Sequence, residues 1–417
     1  MKTNIWILNH YASGMYFDLG GRHYNFAKYL RRAGYAPVIF GANSKHGKPE
    51  RFFETNALWE EHIAEEIDTP FIFVRARTYT GNGRQRVLNM IDFYRNVKKT
   101  VKEYAAQHGK PDVIYASSVH PLTLVAGLQL AKQLGVKCIC EVRDLWPESI
   151  VAYSSRFTKD NLLIKILYQG EKQIYKKSDA VIFTMEGGYD YITERGWDKV
   201  IPRSKIHHIN NGVDLEVFDY NREHFCINDP ELDNPDNFKI VYTGAIRRVN
   251  HLGLLLDAAK CVADKRIKLL VWGDGDELDA LEQRVRDEHI ENVVFKGRIE
   301  KKYIPSVVSR SDLNVVHWEM SSLLKYGESY NKLFEYMAAG RPIFSTICPG
   351  YSILKKCNCG WDTEGYSPRE LADGIASMAA LPPEELMRIG GNARKGAKEY
   401  DFAVLTQALI RVIEESE

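Results

Sequence analysis

The chain has 417 residues, a length that excludes a single ordinary core and makes two domains the expectation. Its 45% apolar and 27% charged residues are typical of a soluble globular protein. The formal charge of +1 is unevenly spread, because residues 1–210 carry 30 Lys and Arg against 21 Asp and Glu, while residues 211–417 carry 26 against 34.

The first half of the chain alternates short apolar runs with segments of helical periodicity. Strands are predicted in NIWILNHY, APVIFGAN, PDVIYASS, VKCICEVRD, SDAVIFTM and KIHHINNGVD. The helical pattern RHYNFAKYLRRAGY lies between the first two runs and stops at Gly34. This alternation favours βαβ units and a parallel sheet.

A second series of strands follows a polar, proline-bearing stretch at residues 221–237. These strands are predicted in FKIVYTGAI, IKLLVWGDGD, NVVFKGRI, DLNVVHW and RPIFSTI. The two series predict an α/β protein with two doubly wound domains, residues 1–210 and 211–397, facing each other across a cleft. The amphipathic helix predicted at 398–417 is expected to pack back on the first domain.

Cysteine spacing and hydropathy indicate where in the cell the protein is expected. The seven cysteines include two C-x-C pairs, and no Cys/His set has the spacing of a zinc site, so buried thiols in a reduced cytoplasmic protein are expected. The apolar run at the N-terminus is too short for a signal peptide. No stretch approaches the roughly 20 apolar residues of a spanning helix. Any membrane contact is therefore expected to be peripheral, on the inner face of the plasma membrane.

Glycine-bearing loops follow three of the predicted strands. Gly20 and Gly21 lie between the first strand and its helix, Gly244 follows the first strand of the second series, and Gly273 and Gly275 follow the next. Bare backbone at such places can approach a ligand, and free helix N–H groups can face negative charge. The spacing differs from the G-x-G-x-x-G dinucleotide fingerprint, so a nicotinamide cofactor is not supported. Tight structural turns are the alternative.

Two basic stretches of the second domain could bind an anion. Arg247 and Arg248 follow the Gly244 turn, where guanidinium groups can fork a phosphate, although surface arginines are common. In the stretch SYNKLFEYMAAG, Ser329 or Asn331 is predicted to cap a helix, and Lys332 adds charge at the same end. Glu335 could accept hydrogen bonds from ribose hydroxyls, or be a first-turn glutamate favoured by the helix dipole.

Five segments together resemble the family-4 retaining glycosyltransferases of the GT-B fold. They are EVRDLWPESI, INNGVDLEVF, LLVWGDGDELDAL, VVFKGRIEKKYIPSVVSRSDLNVV and SYNKLFEYMAAGRPI, and they occur in the family's order over nearly the whole chain. The nearest resemblance is to bacterial enzymes that assemble O-antigen, capsule or other surface polysaccharides. The implied fold is two Rossmann-like domains.

The resemblance implies a nucleotide-sugar donor, with UDP as the nucleotide of this branch, held mainly by the second domain. Glu335 would bind the ribose, and Lys332 with Arg247 or Arg248 would bind the diphosphate. The remaining donor residues implied are Gly20 and Gly21 beside the diphosphate, Gly273 and Gly275 along the nucleotide, and Arg298 and Ile299 by the base. The acceptor, a lipid-linked saccharide, would be held mainly by the first domain.

Three residues are candidates for the catalytic centre. His120 matches a histidine commonly found near the transferred sugar in the family, although it could instead cap the following helix. Asp144 would line the cleft near the acceptor or sugar, unless it pairs structurally with Arg143. Glu328 departs from the family pattern, in which two glutamates lie eight positions apart, because Gly327 stands eight before Glu335.

A retaining transfer without a protein nucleophile needs positioning and stabilisation of the leaving charge rather than a metal ion. The DGD at 274–276 follows a glycine turn and is interpreted as part of the nucleotide loop. No metal and no further cofactor are therefore expected.

Two basic amphipathic stretches of the first domain suit an anionic membrane surface. They are GRQRVLNMIDFYRNVKKTVKEY and FTKDNLLIKILYQGEKQIYKK. Core-facing helices with a solvated basic face are the alternative.

Two other functions compete with glycosyl transfer. A UDP-sugar 2-epimerase shares the two-domain architecture, but the segments INNGVD and NKLFEYMAAG argue against it. A nucleic-acid-binding protein would use the basic half, but no recognised binding motif is present and the second half is acidic, so no nucleic-acid partner is expected.

Overall fold

The computed structural model describes residues 3–154 and 156–416. These described residues form two compact α/β units. The first unit comprises the residues up to Asn210 together with those from Phe402 onward, and the second comprises Asn211–Asp401. The predicted α/β class with two doubly wound domains is confirmed.

The first unit is built on a sheet that has eight strands within the described residues. Their order is β3-β4-β2-β1-β5-β6-β7-β8, and every pairing is parallel except that of β3 with β4. The strands are β1 (Asn4–Asn9), β2 (Ala36–Ala42), β3 (Trp59–Ala64), β4 (Thr69–Val74), β5 (Val113–Ser118), β6 (Lys137–Val142), β7 (Ala180–Phe183) and β8 (Ile206–His208). Strand order reverses between β1 and β5, so a ligand site is expected at their carboxyl ends.

The helices of the first unit cover its sheet and include the C-terminal one. They are α1 (Ser13–Phe17), α2 (Arg22–Arg32), α3 (Arg84–His108), α4 (Pro121–Leu134), α5 (Glu148–Tyr153), α6 (Leu162–Lys177), α7 (Gly188–Glu194) and α16 (Phe402–Ser416). Phe402 meets Phe26 of α2 edge to face at 5.4 Å, and Leu409 and Ile413 are buried in the same core. The C-terminal helix begins at Phe402 rather than at 398, because a single 3-10 turn, Lys398–Tyr400, precedes it.

The second unit has a fully parallel sheet of six strands within the described residues, in the order β11-β10-β9-β12-β13-β14. The strands are β9 (Phe238–Thr243), β10 (Ile267–Trp272), β11 (Val293–Gly297), β12 (Leu313–Val316), β13 (Ile343–Ser345) and β14 (Gly360–Asp362). The helices are α8 (Leu215–His224), α9 (Leu252–Cys261), α10 (Leu278–Asp287), α11 (Ile304–Ser309), α12 (Asn331–Ala339), α13 (Ile353–Cys357), α14 (Pro368–Ala379) and α15 (Pro383–Ala397). Strand order reverses between β9 and β12.

Helix α12 carries the central apolar face of the second unit. Leu333, Phe334 and Met337 are fully buried in a core cluster of this unit. The helix ends at Gly340, whose φ of 68° is a left-handed conformation that glycine adopts without strain. This packing fixes α12 against the sheet, so the side chains along its partly exposed face have defined positions.

Candidate active site

The loop after β9 lies at the strand-order reversal of the second sheet. Gly244 has a φ of 143°, which favours glycine, and a Cβ on it would come within 2.8 Å of the Lys332 Nζ. Its N–H donates to the Trp272 carbonyl at 3.0 Å. The absence of a side chain at Gly244 therefore gives Lys332 its place beside this loop.

Gly273 and Gly275 pack directly against the same loop. A Cβ on Gly273 would lie 1.9 Å from the Gly244 carbonyl oxygen, and one on Gly275 would lie 2.0 Å from that of Ile246. The Ile246 N–H also donates to the Asp274 carbonyl at 3.0 Å. Loop packing is thus a sufficient reason for both glycines, and their contact with a nucleotide stays a prediction.

Lys332 reaches back from the first turn of α12 to the end of β9. Its Nζ donates to the Tyr242 hydroxyl at 2.8 Å and lies 4.0 Å from the centre of the Tyr242 ring. Burial lowers the pKa of Lys332 to about 7, and the carboxylate of Glu335 offsets only part of that effect. The site therefore holds an incompletely solvated ammonium group, which an anionic ligand would stabilise.

Glu335 lies one turn beyond Lys332 on the same face of α12. Burial raises the pKa of Glu335, while Lys301 and Lys332 lower it. No ion pair or hydrogen bond engages its carboxylate within the part of the chain that the structure describes. Its oxygen atoms therefore retain the capacity to accept hydrogen bonds from a ligand.

The predicted helix cap was wrong, and Glu335, which the sequence placed on the first turn of the helix or just beyond it, lies just beyond it. Tyr330 occupies the N-cap position of α12 without a side-chain hydrogen bond, and Asn331 is the exposed first helical residue. The hydroxyl and carbonyl of Ser329 accept hydrogen bonds from Asn211 instead, at 3.3 and 2.8 Å. Glu335 is consequently the fifth residue of the helix, so a first-turn dipole effect does not account for it.

The other predicted donor residues of the second unit lie nearer the surface. Arg247, Arg248 and Arg298 are exposed, and no carboxylate among the described residues pairs with Arg247 or Arg248. Ile299 packs against the apolar cluster that contains α12. The two guanidinium groups after β9 are thus available to an anion, whereas Ile299 has a structural contact as well.

Glu328 is buried, with only 4% of its surface exposed. Its Oε1 accepts the Ile353 N–H at the start of α13, at 3.3 Å. Burial and the nearby Asp362 carboxyl raise the pKa of Glu328 to about 8. These contacts favour a structural role, and its catalytic role stays a prediction.

Sequence patterns did not single out a histidine at the strand-order reversal of the second sheet. His317 directly follows β12; its Nε2 donates to the His251 carbonyl at 2.9 Å and its Nδ1 accepts the Thr346 hydroxyl at 2.6 Å. Burial lowers the pKa of His317 to about 4, so the ring is neutral at neutral pH. Its position at the end of the predicted strand DLNVVHW was the available signal.

His120 and His10 form a buried pair at the strand-order reversal of the first sheet. The His10 Nδ1 and His120 Nε2 are 2.7 Å apart, and each residue follows a neighbouring strand, β1 or β5. Burial lowers the pKa of His120 to about 3, so the ring is neutral. His120 occupies the N-cap position of α4, but its side chain makes no cap hydrogen bond. The sequence interpretation missed His10.

The remaining predicted residues of the first unit differ in exposure. Asp144 is exposed and makes no ion pair with Arg143 in the described structure. Gly20 lies in the loop before α2, and Gly21, with a φ of 107°, is the N-cap residue of that helix. His120, Asp144, Gly20 and Gly21 thus belong to one unit and the other candidates to the second.

A buried ionic network supports the Gly20–Gly21 loop. Arg22 donates to Glu141 at 2.6 Å and to the carbonyls of Ile209 and Asn210 at 2.8 and 2.6 Å. His23 lies 3.0 Å from the other Glu141 oxygen. The Arg22 guanidinium and other nearby charged groups hold the pKa of Glu141 well below its usual range. This network fixes the N-terminus of α2 to Ile209 and Asn210, where the chain leaves the first unit for the second, a role that no local motif indicated.

The described residues include neither a membrane-spanning helix nor a cluster of three or more candidate metal ligands. No helix among them is long and apolar enough to cross a membrane. No group of three or more His, Cys, Asp or Glu side chains within residues 3–154 and 156–416 is arranged to hold a metal ion.

Sequence profiles of glycosyltransferase families match both halves of the chain. The profile described as Glycosyltransferase Family 4 matches residues 22–217, and that described as Glycosyl transferases group 1 matches residues 237–380. The chain belongs to glycosyltransferase family 4. The resemblance to family-4 glycosyltransferases that the motifs predicted is confirmed.

The curated relatives of this family-4 glycosyltransferase are distant. It is 24% identical over 221 residues to a putative teichuronic acid biosynthesis glycosyltransferase of Bacillus subtilis, a match covering 52% of each protein. The chain spans about half the length of the curated relatives that it matches.

Solved structures are similar over the full chain. The sucrose-phosphate synthase of Thermosynechococcus elongatus has a TM-score of 0.74 and 19% identity, with 99% of each chain covered. Anabaena HepE in complex with UDP and glucose has a TM-score of 0.63 and 15% identity, covering 99% of this chain and all of that one. The similarity confirms the predicted GT-B fold.

Proposed function

We propose that this glycosyltransferase moves a sugar, with retention, from a UDP-sugar to a lipid-linked saccharide during assembly of a bacterial surface polysaccharide such as O-antigen or capsule. The observation that carries the proposal is the Lys332 ammonium beside Gly244, with the Glu335 carboxylate one turn away. The UDP and glucose bound by HepE and the teichuronic acid pathway of the Bacillus relative support it. The reaction takes place in the cytoplasm, at the inner face of the membrane.

The residues of the second unit suit the departure of a nucleoside diphosphate. Lys332 and the exposed Arg247 and Arg248 would stabilise the negative charge that develops as the bond from the anomeric carbon to the phosphate oxygen breaks. Glu335 would accept hydrogen bonds from the ribose hydroxyls. The acceptor oxygen then bonds to the same face of the anomeric carbon, and its proton passes to the departing phosphate oxygen.

Residues of the first unit would contact the transferred sugar and the acceptor. His120 is neutral because of its burial, so it can exchange a hydrogen bond with a sugar hydroxyl without introducing charge. The exposed Asp144 is an acceptor for further hydroxyl groups. In this scheme Glu328 contributes through the position of the loop before α12.

Uridine nucleotides are expected to stabilise the protein against heat. A ligand at 100 times its Kd adds about 2.7 kcal/mol to the free energy of unfolding, which corresponds to a Tm rise on the order of 5 °C. UDP should raise the Tm by more than uridine, because the diphosphate engages Lys332. A Tm shift with GDP or ADP compounds alone would show that uracil is not the base of the donor. No shift with any nucleotide would contradict the proposal.

We expect sugar transfer to proceed without a divalent metal ion, because Lys332, Arg247 and Arg248 provide the cationic groups. UDP release from the donor, measured with and without EDTA, should differ by less than about twofold. A fall of tenfold or more that magnesium or manganese restores would show that a metal ion carries the leaving charge.

A further inference from the structure

Three large apolar side chains at the start of α6 are exposed together. Leu162, Leu163 and Ile166 are 74%, 52% and 58% exposed, whereas Ile164 and Tyr168 on the opposite face are buried. Soluble proteins rarely leave neighbouring aliphatic side chains in water, and such a cluster marks an interaction surface. We call Leu162, Leu163 and Ile166 the α6 patch.

The backbone beneath the α6 patch is fixed by side-chain contacts. The Asn161 side chain accepts the Leu163 N–H at 2.9 Å, which caps the helix. The Glu148 carboxylate pairs with Lys159 at 2.8 Å and accepts the hydroxyl of Tyr168. The loop before α6 and the helix itself are thus attached to α5, so the apolar side chains have a firm support.

Basic residues flank the patch and outnumber the acidic ones. Arg156, Lys159 and Lys165 are exposed around it. Lys165 pairs with the exposed Asp160 at 3.4 Å, and Lys159 pairs with the buried Glu148, so the local balance is three basic groups against two acidic ones. A second copy of the chain docked through this patch would bring like charges together, which is unfavourable. An anionic lipid surface suits both the apolar side chains and the basic residues around them, because it takes up aliphatic groups and attracts cations.

The other basic stretch of this unit is less suited to a bilayer. On α3, Leu88, Met90 and Ile91 are only partly exposed and Phe93 is fully buried. Val87 is its exposed large apolar residue, at 52%. The aliphatic side chains of α3 are therefore largely committed to the protein interior.

We propose that the α6 patch inserts into the interfacial region of an anionic bilayer, while Arg156, Lys159 and Lys165 contact lipid phosphates. The inference rests on the membrane contact of the proposed function and assigns that contact to α6. Co-sedimentation with phosphatidylcholine vesicles, with and without 30% phosphatidylglycerol (about one lipid in three), tests it. The wild-type chain should bind the anionic vesicles at least about tenfold more tightly, and added salt should weaken that binding.

Substitutions separate the contribution of the aliphatic side chains to membrane binding from that of the basic ones. The L162Q/L163Q/I166Q variant should lose about tenfold in vesicle affinity, because aliphatic insertion is removed while glutamine keeps helix propensity. R156Q/K165Q should lose about fivefold per residue on anionic vesicles only. The matched control replaces three other exposed apolar side chains of this unit, as I63Q/V200Q/V404Q, and should bind like the wild type.

The outcomes test the α6 assignment, the membrane contact and the transferase function separately. Unchanged binding by L162Q/L163Q/I166Q overturns the α6 assignment and leaves the membrane contact in place. No binding by the wild type overturns the membrane contact too, whereas the nucleotide-induced Tm shift tests the transferase independently. Self-association that this variant abolishes would identify a second copy as the occupant. If the variant is unfolded by circular dichroism, R156Q/K165Q and L162Q alone carry the test.

Discussion

Replacing Lys332 with methionine is expected to lower the rate of sugar transfer by about 10²- to 10³-fold, the usual loss when one group that stabilises developing charge is removed. The ammonium group beside Gly244 is the cation that we assign to the leaving diphosphate. UDP release from a UDP-sugar with a lipid-linked acceptor measures the rate. The Tm shift caused by UDP should fall in parallel, because it reports the same contact without an acceptor.

The same substitution is expected to stabilise the fold. The pKa of Lys332 is about 7 in the folded chain against 10.5 for an ordinary lysine, so the unfolded chain binds more protons between these values. The resulting destabilisation is complete below pH 7 and disappears as the pH rises toward 10.5. K332M removes this penalty together with the bond and the ring contact to Tyr242, so the net free energy of unfolding should rise by about 1–2 kcal/mol at pH 7, and by less at pH 10.

An exposed lysine of the same unit supplies the control. Lys260 on α9 pairs with Glu288 at 2.8 Å and is 44% exposed along its side chain. K260M should change stability by less than about 1 kcal/mol and leave the rate within twofold. If K332M destabilises the protein and keeps its rate, the bond to Tyr242 is structural and the diphosphate contact is wrong.

The repeated strand–helix pattern was sufficient to predict most of the fold. All five strand runs of the second series and all six of the first correspond to strands in the structure. β3 was missed because apolar and polar residues alternate only weakly in its sequence WEEHIA, which carries three charged or titratable side chains. β4 was overlooked despite its apolar TPFIFV run, and β14 has only three residues.

The site could be predicted only where the signal was local. Glycines after strands and cations near a helix start are visible in the sequence. Contacts between distant residues are not: Lys332 bonds to Tyr242, 90 positions away, and His120 to His10, 110 positions away. The helix cap was misassigned because Tyr330, and neither Ser329 nor Asn331, occupies the N-cap position of α12, and Ser329 is bonded to Asn211, 118 positions away.

Replacing Glu335 with glutamine is expected to lower kcat/KM for the donor by about 100-fold. A hydrogen bond to a charged acceptor contributes about 1.5–3 kcal/mol, and the ribose hydroxyls would lose such an acceptor. Burial raises the pKa of this carboxyl, so its removal should leave stability unchanged or slightly higher. Steady-state kinetics with varied UDP-sugar, and the affinity for UDP alone, measure the loss.

Glu328→Gln is the matched comparison, seven residues earlier and in contact with the start of α13. We expect a loss of less than about fivefold in kcat/KM, because the buried carboxyl bonds to the protein rather than to the donor. Its pKa of about 8 in the folded chain, against 4.5 for an ordinary glutamate, makes wild-type stability fall as the pH rises from 4.5 to 8. The variant should lack that fall and be the more stable protein at pH 9. Equal, severe kinetic losses in the two variants would instead place both carboxylates at the donor and restore the paired arrangement typical of the family.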